Sequence, residues 1–478
     1  MTFNHGVTAT LLDTTVRAVG TMANPIAYIG TAKISGSTSG EYASSAGKWE
    51  RLQTRNQALS FLGTDTSSTQ IGFDMSARAT GYTIPGFLGE FFDSKNLEDI
   101  CVYNVAKFTT VTDTSCTGSS GAYTLANGYI KDLTVTDTAG TTTFVNLLDY
   151  TFDHKTGVIN AVNGGNMTAT STILVDYKYA DTDVSNITVD DVVAACTDKD
   201  SIYMQHEVIP SMFIAPTFTQ LTADTTYKVV SALKTCTSLN DSKYGARAIV
   251  GIAAATTTAI NTAVSAMGTG VIDEDLDFVG HPAFGAQKLT AEEHYALAWM
   301  KEAASRNGIV GIRSASNILT SGAVPDPGFS DSDGNTLNQE GINTFVVYKG
   351  LRTWGNYTSK YSDSGEFMDN FSSIRFIYLQ IANNVNEYAR QYIVDGETNT
   401  KKIEYHISVM QTNFIDKFIR AGALLQGSVV SFNSEDNPTV DLLAGKYVFN
   451  FALGFIPPAT YIQNKFWYNT DLLVNLFG

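Results

Sequence analysis

Pro210-Ser-Met-Phe-Ile-Ala-Pro216 opens the stretch that decides the fold, and Arg247-Ala-Ile-Val-Gly-Ile-Ala253 and Leu276-Asp-Phe-Val-Gly280 complete it. Each run is short and apolar at successive positions, so each reads as a strand buried on both faces. Segments of helical period lie between them. Tyr227, Val230 and Leu233 share one face of a helix over 227–238, and Ala259 to Met267 form a second helix. A third opens on the capping box Thr290-Ala-Glu-Glu293 and closes at Asn307-Gly308. Strand and helix alternating in this way imply a largely parallel sheet with helices on its faces.

Upstream, Pro25-Ile-Ala-Tyr-Ile-Gly-Thr31 and Asp99-Ile-Cys-Val-Tyr-Asn-Val105 supply further strands, with helices near Gln53 to Leu62 and Phe87 to Asp93. Downstream, Phe371, Ile374, Ile377, Ile381, Val385, Tyr388 and Tyr392 step by three or four residues. So do Ile403, Ile407, Met410, Phe414, Phe418, Ala421 and Leu425, and both stripes read as core. Val429 to Phe432 and Lys446 to Ala452 are strands on either side of the turn Ser434-Glu-Asp-Asn-Pro438. The fold class is therefore α/β (mixed α+β), and 478 residues are enough for several domains.

A composition shift interrupts the α/β pattern. No arginine occurs between Arg78 and Arg247, no glutamate between Glu98 and Glu207, and no proline between Pro85 and Pro210. Residues 108–182 are rich in Thr, Asp and Gly, with period two in Leu133-Thr-Val135 and Val175-Asp-Tyr177-Lys-Tyr179. Turn chemistry stands at Asp153–Gly157 and Asn163-Gly-Gly165. This segment reads as an inserted all-β domain, looped out between flanking strands at Asp99–Ala106 and Ile187–Ala195.

The chain ends on a strand with no partner nearby in sequence. After Pro457-Pro458, Tyr461, Gln463, Lys465 and Trp467 alternate with Ile462, Asn464, Phe466 and Tyr468, and Leu472, Leu473, Val474, Leu476 and Phe477 follow. Such a tail needs a sheet edge, which either its own subunit or a neighbour can supply. Residues 1–20 are alike: Val7, Ala9 and Leu11 alternate with Thr8 and Thr10, an arm with little core of its own.

Charge and motifs exclude more than they assign. A net charge of −16 argues against nucleic acid as the main partner. No apolar run reaches the length of a membrane span, and no secretory signal is visible in the first thirty residues. Cys101, Cys116, Cys196 and Cys236 lack paired spacing and read as isolated thiols. The strand ends after Ile214 and Ile252 carry no Gly-x-Gly-x-x-Gly. Gly47-Lys48 is followed by Trp49, with Tyr42 where a phosphate loop needs glycine. Gly36-Ser-Thr-Ser-Gly40 has Thr38 at the nucleophile position and no strand leading into it. Asp331-Ser-Asp333-Gly334 with Glu340 imitates a calcium loop, but its first ligand would be Phe329. The six histidines are scattered, and Glu292-Glu293 in a first helical turn suits the helix dipole. No catalytic, cofactor or metal site is expected.

One stretch carries a family resemblance. Asn338-Gln-Glu-Gly341-Ile-Asn343-Thr344, a strand, and then Gly350-Leu-Arg352-Thr-Trp354-Gly355-Asn-Tyr-Thr358 resembles the signature of contractile-tail sheath proteins. It departs at Tyr357, where many members carry arginine. Residues 208–216 and the double proline of Ile456-Pro-Pro-Ala459 also resemble the family, and the opening Phe3-Asn-His5-Gly6-Val7 is similar to its Mu- and P2-like branch. The resemblance implies a structural subunit that stacks in rings around a tail tube and contracts to drive the tube through the host envelope. Bacteriocin and injection-system sheaths are the physically equivalent alternative. It implies further copies of the chain, tail tube, baseplate and tail terminator proteins as partners, and a place in the virion tail after assembly in the host cytoplasm. The terminal arms would be lent to neighbours through Val7, Ala9, Leu11, Ile462, Phe466, Trp467 and Tyr468, with Pro457 and Pro458 as the hinge. The expected layout is an arm over 1–20, an α/β domain over 21–107 and 183–330, the insert at 108–182, a C-terminal core over 331–456 and an arm over 457–478. A non-contractile surface or capsid protein and a Rossmann-like enzyme are the remaining readings.

Overall fold

The computed structural model describes residues 25–32, 46–62, 73, 75, 78, 81–94, 97, 99–127, 130–153, 156–168, 172–180, 186–220, 224–285, 288–320, 328–361, 366–393, 400–459 and 463–465. Val7, Ala9, Leu11, Ile462, Phe466, Trp467 and Tyr468 lie outside the described residues.

The first half of the chain lays down β1 (Ile26–Gly30), β2 (Trp49–Leu52), α1 (Arg55–Leu62), α2 (Ile84–Asp93) and β3 (Ile100–Asn104). It then builds β4 (Phe108–Thr117), β5 (Ala122–Thr124), β6 (Ile130–Asp137), β7 (Tyr150–Asp153), β8 (Val158–Ala161) and β9 (Thr172–Ala180). The α/β pattern resumes with α3 (Val189–Thr197), α4 (Asp200–His206), β10 (Met212–Ile214), α5 (Lys228–Cys236), and the two-residue strands β11 (Ser238–Leu239) and β12 (Tyr244–Gly245). Next come β13 (Arg247–Ala253), α6 (Thr257–Met267), β14 (Leu276–His281) and α7 (Ala291–Ala304).

α8 (Asp331–Asn338), β15 (Ile342–Val347) and β16 (Leu351–Trp354) follow, and an eight-stranded sheet in the order β16-β15-β14-β13-β10-β1-β3-β2 unites them with the earlier strands. Its six inner strands are parallel, while β2 and β16 are antiparallel edges. The sheet thus crosses the expected border at 330. Both faces are covered. Ala27, Ile29, Phe213, Val250 and Phe278 pack with residues of α3, α5 and α6. Ile26, Tyr28, Ile214, Ile249 and Val279 pack with α1, α2 and α7. The mixed α/β class expected from the alternating runs is the one adopted.

Residues 108–180 form two three-stranded antiparallel sheets, β4-β9-β6 and β5-β8-β7, around their own buried cluster of Tyr123, Ile130, Val135, Ile159, Ile173 and Val175. Bulges interrupt β4 and β6 against β9, with Asp113 and Asp132 at positive φ. The segment after this module is a helix, not the strand expected at Ile187–Ala195. Thr188 and Asp191 form a reciprocal capping box that starts α3, and its Val192, Ala195 and Cys196 are buried on one side.

The C-terminal part contains α9 (Phe367–Asn370), α10 (Ser372–Tyr392), α11 (Thr400–Met410), a π-helical turn (Gln411–Ile415) and α12 (Asp416–Arg420). Ile377, Ile381, Tyr388, Met410, Phe414 and Phe418 share one buried cluster, as both stripes require, while Tyr392 and Leu425 remain exposed. A ribbon of β17 (Val429–Ser431) and β18 (Asn450–Ala452), with α13 (Thr439–Leu443) in its connection, ends the described core. All four cysteines are free and buried. No helix among the described residues is long and apolar enough to cross a membrane.

Candidate functional site

The stretch 338–358 wraps one end of β14 and β15. Asn343 is fully buried, and its side chain acts as a bridge. Nδ2 donates to Phe278 O at 3.2 Å and to Tyr357 O at 2.7 Å, while Oδ1 accepts from Tyr357 N at 2.8 Å. Thr344 Oγ1 donates to Gly280 O at 2.5 Å, and Thr358 Oγ1 donates to Asp369 O. Trp354 Nε1 donates to Asn335 Oδ1 at 3.1 Å, its indole lying over Gly334 of α8. Arg352 donates through Nε to Tyr348 O and through Nη1 to Asn317 O, both at 3.0 Å. Gly341 and Gly350 take φ of +71° and +108°. At Gly355 an added Cβ would come within 2.5 Å of Asn338 Oδ1. Tyr357, the departure from the family pattern, packs against Tyr361 and Phe371 at ring-centroid distances of 4.4 and 5.8 Å. The stretch serves as a polar clasp around a backbone corner. It presents no nucleophile–base pair.

The calcium-like run takes a different form. Ser330 and Asp333 cap α8 reciprocally, and Asp331 and Asp333 stand in its first turn. Among the described residues no group of three or more His, Cys, Asp or Glu is placed to hold a metal ion. Gly47-Lys48 leads into β2, and His206 Nε2 lies 3.1 Å from Trp49 O on that edge strand.

The carboxyl ends of the parallel strands are where α/β proteins build ligand sites, and here they are filled with buried charge. Glu293 accepts from Arg78 Nη1 and Nη2 at 2.9 and 2.6 Å, from Tyr28 Oη at 2.6 Å and from Thr290 N at 2.6 Å. Burial, reinforced by the Glu293 charge, holds the Tyr28 phenol well above its usual value. Glu292 points the other way, against Gly251, where any Cβ would meet its Oε2 at 1.8 Å; Thr217 N donates to it at 3.3 Å. Burial, with Glu293 adjacent, pushes the Glu292 carboxyl up to about 7. Burial also lowers His281 to about 4 and His294 to about 3. These two rings pack around Phe284 and Phe345. Side chains thus occupy the crevice position. The first-turn acids, which sequence reasoning assigned to the helix dipole, are core residues.

At the opposite end of the sheet, Arg247 Nη2 meets Asp277 Oδ1 at 2.5 Å, and Ser372 Oγ donates to the same oxygen at 2.6 Å. Arg375 forks onto Asp275 at 2.9 and 2.7 Å. The first pair ties β13 to β14, and Ser372 and Arg375 fasten α10 to the sheet.

The open chemistry of the molecule is backbone. Along 448–454, even-numbered residues turn their backbone groups inward. Asn437 bonds Val448 through both amide atoms, Asn450 and Ala452 pair with Ser431 and Val429, and Gly454 bonds Leu425 and Ser428. Phe449, Phe451, Leu453 and Phe455 pack their side chains on the C-terminal core. Alternation turns their backbone N–H and C=O groups outward, where no described residue meets them. Pro457 and Pro458 continue this line, Pro457 exposed and Pro458 half-buried.

A family model described as "Protein of unknown function UCP028589" matches residues 91–194, the β module with its flanks. Over 464 residues the chain is 26% identical to the "Tail sheath protein" of Burkholderia phage BcepMu, covering 89% of this chain and 91% of that protein. Its fold is similar to a chain of the anti-feeding prophage baseplate, with TM-score 0.57, 13% identity and 94% of each chain covered. It is also similar to the sheath of an extracellular contractile injection system in the contracted state, with TM-score 0.54, 10% identity and 94% of each chain covered. A third similar structure is the sheath tail protein of Desulfitobacterium hafniense, with TM-score 0.51, 11% identity, and 87% of this chain and 91% of that one covered. The resemblance to contractile tail sheath proteins extends along most of the chain, in sequence and in fold.

Proposed function

We propose that the chain is the structural subunit of a contractile tail sheath, which polymerises as a helical array around a tail tube and shortens to drive the tube through a host envelope. The observation that carries this reading is the open strand edge along 449–455, in a chain aligned with a tail sheath protein over 89% of its length. A two-stranded ribbon is marginal alone and gains from added strands. The terminal segments 1–20 and 457–478 are the strands on offer, the second leaving at the Pro457-Pro458 hinge, and a head-to-tail contact that does not close gives a filament. Residues 108–182 are read as a domain decorating the outside. Tube, baseplate and terminator proteins are the other partners, and the virion tail is the location. The injection-system neighbours favour, as a second reading, the same molecule in a bacteriocin or injection particle. The chemistry asked of the chain is mechanical: a metastable lattice relaxes to a better-packed one. Negative-stain microscopy of the purified full chain tests the reading. Tubules are expected, and a monodisperse monomer under all assembly conditions overturns it.

A further inference from the structure

We propose that Gln411 closes one edge of the β17–β18 ribbon and so directs the incoming strand of a second copy to the other edge, residues 449–455. This rests on the reading of the chain as a polymerising sheath subunit. Gln411 begins the π-helical turn between α11 and α12. A π turn bonds five residues ahead, and Gln411 Nε2 donates to Asp416 Oδ1, five positions on, at 2.7 Å. Held in this way, the carboxamide faces β17. Its Nε2 donates to Ser428 O at 3.2 Å, and its Oε1 accepts from Val430 N at 2.9 Å.

One donor and one acceptor, set against backbone groups two residues apart, is what a neighbouring strand offers. The side chain therefore takes the place of a strand on β17. Val430 and Ser428 are both buried, which leaves water a poor substitute for these bonds. Along 449–455 no side chain plays the same part among the described residues, although Asn437 shows that the fold can place an amide on backbone groups, which it does on the inner side at Val448. The asymmetry gives the ribbon one accepting edge. A polymer built by strand addition needs that restriction, because a ribbon open on both sides admits two registers of neighbour and a branched product.

The test is hydrogen exchange with residue-level fragmentation on the full chain, as soluble subunit and as polymer verified by microscopy. In the wild type the Val430 amide should be protected in both forms. The amides of Phe449, Phe451, Leu453 and Phe455 should slow by about tenfold or more on assembly. In Gln411→Ala the Val430 amide of the soluble subunit should exchange about tenfold faster, and assembly should bring protection to both edges with irregular aggregates beside tubules. If Gln411→Ala does not fold, Asp416→Ala, which removes only the brace, should raise Val430 exchange in the same direction. Wild-type polymers that gain protection at 428–431 and not at 449–455 overturn the proposal. So does a folded Gln411→Ala or Asp416→Ala chain with unchanged Val430 protection and unchanged assembly. Absence of any wild-type polymer instead removes the sheath reading, and the proposal with it.

Discussion

Gly355 holds φ at +117°, with Asn338 Oδ1 and Asn343 Oδ1 2.5 and 2.6 Å from where a Cβ would stand. Gly355→Ala therefore meets backbone strain, the committed carboxamide of Asn343 and the buried Oδ1 of Asn338. It should cost about 3 kcal/mol or more, read as a fall in the denaturant midpoint at unchanged slope. A loss below about 0.5 kcal/mol would show that the corner is loose. Glu293 raises the stakes further. Glu293→Gln leaves the Arg78 guanidinium buried without a counter-charge and should destabilise by about 3–5 kcal/mol. Replacing both by apolar residues should cost less than the single change, and a double-mutant cycle checks this. Gly355 and Asn343 could be singled out from sequence because they sit in the run that resembles the sheath signature. Glu292 and Glu293 could not. A helix-opening acid pair looks the same whether the turn faces water or a sheet, and only the packing of α7 on β13 and β14 decides.

At the scale of elements, the end of β14 and the first turn of α7 concentrate buried titration. His281 and His294 bind protons less readily folded than unfolded, at about 4 and 3 against an ordinary 6.5. Stability is lost as pH falls from 6.5 toward those values, on the order of 3 to 5 kcal/mol per ring. Glu292 has the opposite sign. Raised from 4.5 to about 7, it takes up its proton more readily in the folded state, so its contribution falls as pH rises from 4.5 to 7. The terms partly cancel in the mildly acidic range. Glu292→Gln should be at least as stable as the wild type at pH 8 and lose melting temperature more steeply between pH 7 and 4.5. Parallel melting curves for the two chains would refute the assignment.

The elements that sequence reading missed have one physical source, which is residues that serve two structures. Val189, Val192 and Val193 favour a strand by β-branching, yet the cap of Thr188 and Asp191 turns them into α3. Asp331, Asp333 and Gly334 fit a turn, but the Ser330 cap and the need for a small residue beneath Trp354 make them α8. β2 is only four residues long with Glu50 and Arg51 at its centre, so no apolar run marks it. The central strands were legible because burial on both faces leaves an apolar run that few other structures tolerate. The β module has its own core, joined to the sheet at β3 and α3. Replacing 108–182 with a short Gly/Ser linker should therefore leave a soluble chain that still assembles. Insolubility would mark the module as integral.

At the scale of the whole molecule, the body is built to resist deformation. One sheet runs from β2 to β16, the Arg247–Asp277 pair ties β13 to β14 within it, and the Ser372–Asp277 and Arg375–Asp275 contacts fasten α10 to it. If a sheath of such subunits shortens, the change must fall on the joints between bodies. On the proposed reading, the joint material is the terminal segments and the open edge at 449–455. Deleting residues 1–16 or 459–478 should leave a folded, soluble monomer with an unchanged melting curve that no longer forms tubules; tubules from both truncations would end the arm hypothesis. With arms intact, disulfides that staple a terminal segment to a neighbour's edge should leave contraction possible, because they fix a connection that persists in both states. Disulfides between the bodies of successive rings should block it, because the bodies must rotate past one another. Sheath length by microscopy after acid or urea triggering is the readout, with and without nucleotide or chelator. Shortening should need neither nucleotide nor metal, since its free energy comes from lattice packing. Strict dependence on ATP, or contraction blocked by arm staples and spared by body staples, would place the moving parts inside the subunit, where the buried ion pairs argue they are not.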